Sequence, residues 1–233
     1  MRLNKRSICP ISVLLCSLSA TSPAQVKSVT IPAPDGGAVA ADGYGTGERA
    51  VILAHGGRFD RTSWRKQADV LADRGFRVLA IDFRASVASR KGEETPCLYD
   101  ASCLAKDVLA AVRYLRLDGA KQVSIVGGSL GGGAAAQASI EAQAGEIDRI
   151  VLLAHMLIDE PQRMRGRKLF ITARNDLSGS GKPRLEGIRA QFDRAPEPKQ
   201  LVILEGAAHA QFIFDSDQGQ RLLDEIVRFL QEP

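Results

Sequence analysis

Six short apolar runs constrain this chain more than anything else in it. They lie at residues 50–54, 77–81, 123–126, 150–154, 169–173 and 201–204, and are rich in Val, Ile and Leu without polar alternation. Strands of that kind are buried on both faces, which points to a parallel sheet rather than a one-sided antiparallel one. Most of the gaps carry helical spacing: Trp64, Ala68 and Leu71; Leu104, Val108, Ala111, Val112 and Leu115; Leu185, Ile188 and Phe192; Leu222, Leu223, Ile226, Val227 and Leu230. Alternating strands and helices predict an α/β fold with helices on both faces of a mostly parallel central sheet. Upstream, residues 29–32 and 38–41 are weak strands flanked by Pro34-Asp35-Gly36-Gly37 and Gly43-Tyr44-Gly45, and predict an antiparallel N-terminal edge. The 13 residues 155–167, with Pro161 and Gly166, have no room for a long helix or an inserted lid. No repeat or linker divides the rest, so residues 25–233 read as one domain.

Residues 1–24 read differently. A basic start (Arg2, Lys5, Arg6) precedes a short apolar stretch and the small-residue site Ser22-Pro23-Ala24, the outline of a cleaved secretory signal. The stretch is too short to span a bilayer, so stable membrane insertion after cleavage is not expected. The chain has 31 Lys and Arg against 27 Asp and Glu. Three of the basic residues fall in the leader with no acidic one, which leaves the remainder near neutral and offers nothing to a nucleic acid. Two of the four cysteines, Cys9 and Cys16, also lie in the leader. The other two, Cys97 and Cys103, predict a disulfide in an oxidising compartment, hence a periplasmic or secreted location. No histidine neighbours that pair and its spacing is not C-x-x-C, so no metal is expected there.

The run 123–126 leads into Gly127-Gly128-Ser129-Leu130-Gly131 and then an Ala-rich stretch. A serine between glycines, on a turn from a buried strand into a helix, has the form of a nucleophile elbow. Gly127 and Gly131 face each other across a turn too tight for side chains, and the serine is lifted clear of the sheet. Three other strand ends carry polar residues: His55-Gly56-Gly57-Arg58 after 50–54, Arg174-Asn175-Asp176 after 169–173, and Glu205-Gly206-Ala207-Ala208-His209 after 201–204. In open parallel sheets, active sites form at these carboxyl ends.

With serine, acid and histidine in that order, residues 49–231 resemble an α/β-hydrolase, and within that superfamily small lidless serine esterases and dienelactone-hydrolase-like proteins. The resemblance implies a catalytic set of Ser129 as nucleophile, His209 as base and Asp176 as the group that orients it, with Asp159 the alternative acid. It implies an oxyanion hole from the backbone N–H of Leu130 and one from Gly57 or Arg58. His55 precedes the serine and is expected to brace the oxyanion turn. His155, at a strand end beside the elbow, is expected in the core or in a wall of the site. Dienelactone hydrolases use cysteine where this chain has Ser129, so their substrate does not carry over.

The implied activity is hydrolysis of small carboxylic esters or thioesters without cofactor. A peptidase or amidase with the same residues, and an inactive binding module on the same fold, are the other readings. Gly131 to Ala136 matches the dinucleotide pattern G-x-G-x-x-A, but its glycines begin inside the presumed helix and no acidic residue ends the next strand. No Gly-Lys-Ser/Thr of a P-loop is present. Arg58, Arg61, Arg84 and Arg174 are candidates to attract an anionic substrate or to remain solvated surface. The long segment 84–102 is expected to form a disulfide-pinned wall of the site's mouth.

Overall fold

The computed structural model describes residues 26–232. The expected export signal at residues 1–24 lies outside the described residues. Eight strands form one sheet: β1 (Lys27–Pro32), β2 (Ala38–Tyr44), β3 (Arg49–Ala54), β4 (Arg77–Ile81), β5 (Gln122–Gly128), β6 (Arg149–Leu153), β7 (Arg167–Ala173) and β8 (Lys199–Leu204), in the spatial order β1-β2-β4-β3-β5-β6-β7-β8. The β1–β2 and β2–β4 pairs are antiparallel and every other pair is parallel. This is the architecture the continuous apolar runs predict.

Among the described residues six helices cover the sheet: α1 (Arg65–Asp73), α2 (Arg84–Arg90), α3 (Ala101–Leu117), α4 (Leu130–Glu141), α5 (Arg184–Arg194) and α6 (Gly219–Gln231). Because side chains alternate along a strand, each buried strand feeds two cores. Ala50, Ile52 and Ala54 of β3 join the cluster that receives α3, α4 and Ile188 of α5. Val51 and Leu53 join the other, which receives Trp64, Leu71 of α1 and the apolar stripe of α6. Burial of each such aliphatic side chain contributes roughly 2 kcal/mol, which is why strands without polar alternation are stable only between two helical layers.

Two local elements differ from expectation. The helical stretch of Trp64, Ala68 and Leu71 opens as a 3-10 turn, Arg61–Trp64, followed by α1; the Asp60 carboxylate accepts from the Thr62 N–H and starts the turn early. Helix α2 lies where only a long connection is expected, because Arg84-Ala85-Ser86-Val87-Ala88-Ser89-Arg90 has no apolar stripe to announce it.

The placement of the site follows from the crossover between β4 and β5. Strand β3 leads on to β4 on one side and its neighbour β5 leads on to β6 on the other, so the connections leaving β3 and β5 diverge and open a crevice at their carboxyl ends. Ala54 and Gly127 are register partners, so the His55 segment and the serine turn leave the sheet side by side. Among the described residues no helix is long and apolar enough to cross a membrane.

Candidate active site

Ser129 caps α4 with φ 50° and ψ −111°, a conformation unfavourable for a residue with a Cβ. Such geometry costs on the order of 1–3 kcal/mol and persists only when neighbours enforce it. Here Ser129 N–H donates to Leu153 O at 2.8 Å, and Ser129 O accepts from Met156 N–H at 2.8 Å and Gly133 N–H at 3.1 Å. The flanking glycines have a steric reason: a Cβ on Gly127 would run into the Gly131 carbonyl, and one on Gly131 into the carbonyls of Ala54 and His55. Gly132 and Gly133 give the same close approach to His155 and Met156. The glycine repeat that mimics a dinucleotide motif is therefore a packing device between α4 and the strand ends.

Ser129 Oγ lies 2.8 Å from His209 Nε2, and His209 Nδ1 lies 2.6 Å from Asp176 Oδ2. The three side chains come from the elbow, the loop after β8 and the loop after β7. Asp176 is 1% exposed while His209 is 26% exposed, so the row runs from the interior to the mouth. Asp159, the alternative acid, is exposed, and its backbone carbonyl accepts from Arg194. The fold brings Asp176, not Asp159, to His209. Behind the row, Arg184 Nε stands 3.5 Å from the second carboxylate oxygen of Asp176, and its backbone N–H donates to Asp176 O at 2.9 Å.

His55 is fully buried. Its Nε2 accepts from Phe83 N–H at 3.3 Å, so the proton sits on Nδ1, which donates to Gly56 O at 2.8 Å. Burial pushes its pKa down and keeps the ring neutral. Gly56 N–H donates to the Gln211 side chain at 2.7 Å, whereas no hydrogen bond engages the N–H of Gly57 or Arg58 among the described residues. Gly57 approaches the Leu130 side chain, and the N–H of Leu130, first in α4, has no partner within the helix. Gly57 and Leu130 line the same cavity as Ser129.

A cavity of about 520 Å³ opens over Ser129. Leu130, Met156, Leu157 and Ile188 give it an apolar wall, and Lys182 and Arg184 stand at its lip. Tyr99 also lines it, held in the loop closed by the Cys97–Cys103 disulfide, whose Cα atoms are 5.4 Å apart. His155 contributes to the wall as a buried residue with its ring edge-on to Phe170 at 5.5 Å.

Three of the four candidate arginines are engaged elsewhere. Arg61 pairs with Asp42 and Asp82, Arg84 holds Asp35 and Asp107, and Arg174 forks onto Glu205. Neighbouring carboxylates offset these three charges, whereas Arg58 has no ion pair among the described residues. Sequence reading missed Gln211 and Arg184. No motif marks either residue: Gln211 reaches a partner 155 positions away, and Arg184, at the start of α5, is folded back onto Asp176 by the intervening loop.

The model of the alpha/beta hydrolase family matches residues 51–226. The AB hydrolase superfamily protein YisY of Bacillus subtilis is 29% identical over 106 residues, which is 46% of this chain and 37% of that protein. The match therefore spans little more than a third of the length of that curated relative. Among solved structures, a dienelactone hydrolase from Anabaena variabilis superposes with a TM-score of 0.72 at 20% identity, covering 90% of this chain and 97% of that one. An esterase from Exiguobacterium antarcticum superposes with a TM-score of 0.68 at 14% identity, covering 88% and 100%. At these identities the two structures are like this one in fold.

Proposed function

The chain belongs to the alpha/beta hydrolase family, and from that premise we propose that it is a serine hydrolase cleaving small carboxylic esters or thioesters through an acyl-enzyme on Ser129. The observation that carries the reading is the continuous row Asp176–His209–Ser129 at 2.6 and 2.8 Å.

In this reading His209 Nε2 takes the Ser129 hydroxyl proton as Oγ attacks the ester carbonyl carbon. Asp176 accepts the Nδ1 proton, holds the tautomer and stabilises the imidazolium. The carbonyl oxygen, now an oxyanion, accepts from the N–H of Leu130 and of Gly57 or Arg58. Losing one such donor typically costs about 3 kcal/mol in the barrier. The carbon–oxygen bond then breaks, the alcohol leaves with the proton from His209, and water attacks the acyl-enzyme by the same steps in reverse. His55 and Gln211 act only on the conformation of the donor segment. Ester chemistry is favoured by the names of the structural neighbours, an esterase and a dienelactone hydrolase. The Cys97–Cys103 bridge is compatible with an extracellular location, and we place the protein in the periplasm or outside the cell.

The test is labelling by a fluorophosphonate probe together with a panel of short-chain p-nitrophenyl esters and peptide amides. Wild type should label and turn over esters, and Ser129→Ala should do neither. Turnover of amides in preference to esters would favour a peptidase or amidase, and no labelling of wild type would leave an inactive binding module.

A further inference from the structure

Two clefts meet at Gly57. The first is the apolar-walled cavity over Ser129. The second, about 420 Å³, shares Gly57 and Tyr99 with it and lies beyond them. Its lining is of another kind: Arg58, Asp60, Ser89 and Arg90, beside the rings of Phe59 and Tyr99. Tyr99 is 75% exposed and stands two residues past Cys97, so the disulfide holds it as a partition between the clefts.

The charge in the second cleft is mixed. Asp60 stands among the two arginines, and buried Asp82 lies 3.6 Å from Arg90 and also pairs Arg61. An anion would need surplus positive charge, and here carboxylates offset it. Guanidinium donors, a hydroxyl and a carboxylate acceptor together suit groups that both donate and accept, which is the property of alcohol hydroxyls. The two aromatic rings supply flat apolar faces for a carbon skeleton.

The fold also distinguishes the ends of the ester. The leaving alcohol must take its proton from His209 Nε2, so it departs on the side of the histidine's own loop. The second cleft is tied to that loop. Ser63, in its wall, accepts from the Gln211 side chain at 2.8 Å, and the Phe59 ring lies 4.9 Å from that of Phe212. The geometry points to the second cleft as the alcohol subsite, taking a neutral polyhydroxylated alcohol such as a sugar or polyol, while the acyl chain occupies the apolar cavity over Ser129. The inference rests on the reading of Ser129 as nucleophile. No additional step is needed: the acyl group passes to Ser129 Oγ, the polyol leaves with the proton from His209, and water releases the acid.

The experiment holds the acyl group constant and changes the alcohol. Butyl butyrate, glyceryl monobutyrate and a methyl glucoside monobutyrate are compared by pH-stat, with fluorophosphonate labelling run in parallel. We expect kcat/KM for the two hydroxylated esters to exceed that for the butyl ester by about tenfold, the worth of one or two net hydrogen bonds. Ser89→Ala and Arg90→Ala, both at exposed positions that line only the second cleft, should bring the ratio towards one while Ser129 still labels. Equal kcat/KM for the three esters, or a preference unchanged in both variants, would overturn the subsite assignment and leave the serine hydrolase reading intact. Absence of labelling in wild type would instead remove the reading on which it rests.

Discussion

Gln211 holds Gly56. The side-chain oxygen of a residue two places after His209 accepts the Gly56 N–H at 2.7 Å, and the same amide donates to Ser63 Oγ at 2.8 Å. Gln211 is buried, and its side chain also lies against Gly128, next to the serine. One amide therefore joins the loop of His209, the segment that begins at Gly56 and the turn of Ser129. With Gly56 N–H occupied in this way, the N–H of Gly57 and Arg58 are the ones in that segment without a hydrogen bond among the described residues, and in the proposed mechanism they are the donors that meet the substrate. Gln211→Ala is expected to lower kcat about 10- to 100-fold, part of the roughly 3 kcal/mol associated with a lost oxyanion donor, with little change in KM. Adding Ser63→Ala to that variant should change kcat hardly further, because Ser63 acts through the same amide. Steady-state kinetics on the single and double variants check both statements.

The glycines of the elbow are required by volume, and others only by backbone conformation. Gly131→Ala would drive a Cβ into the backbone of Ala54 and His55, which cannot move without disrupting β3. Overpacking of that kind costs typically 1–3 kcal/mol and more where backbone is struck, so a large loss of folded protein is expected. Gly119 has φ +86° but open space around it, so Gly119→Ala should cost only about 1 kcal/mol of conformational strain. Denaturant unfolding of the two variants measures the contrast.

His155 makes stability depend on pH. It is buried against Phe170, and neither ring nitrogen makes a hydrogen bond of ordinary geometry. Gln191 beside it uses both ends of its amide on Ile158. Burial pushes the His155 pKa down to about 4, against a smaller opposing pull from Gln191. A histidine neutral in the fold but protonated in the unfolded chain favours unfolding as pH falls. The contribution is complete above the unfolded value of about 6.5 and is lost progressively down to about 4, on the order of 3 kcal/mol in all. His155→Phe should flatten the pH dependence of unfolding free energy between pH 7 and 4.5. An equal slope in wild type and variant would count against this source.

The Cys97–Cys103 bridge closes a loop with a sequence separation of only six. Chain entropy for so small a loop gives about 2 kcal/mol, or a fall of roughly 5 °C in Tm on reduction. Because the loop carries Tyr99 into the mouth, reduction should also raise KM for esters that reach the cavity while leaving Ser129 reactive to a fluorophosphonate. Calorimetry and kinetics with and without reductant test the two effects separately.

The amino-acid sequence by itself determined the sheet and its sidedness. Continuous apolar runs such as Ile150 to Leu153 have no polar face to give to water, so they demand a helical layer on each side wherever they are placed. It also determined that Gly127, Ser129 and Gly131 form a tight turn, because only glycine tolerates the approach of backbone to backbone there. Helix α2 was hidden because its seven residues carry no periodic signal. The site was legible as an order of residues along the chain, and the contacts were not. That Asp176 rather than Asp159 reaches His209, that Arg61, Arg84 and Arg174 are paired with carboxylates, and that Gln211 fastens Gly56 were decided only by the tertiary structure. Periodicity is a local property written in neighbouring residues. A hydrogen bond between positions 155 apart depends on where the sheet order sets two loops side by side.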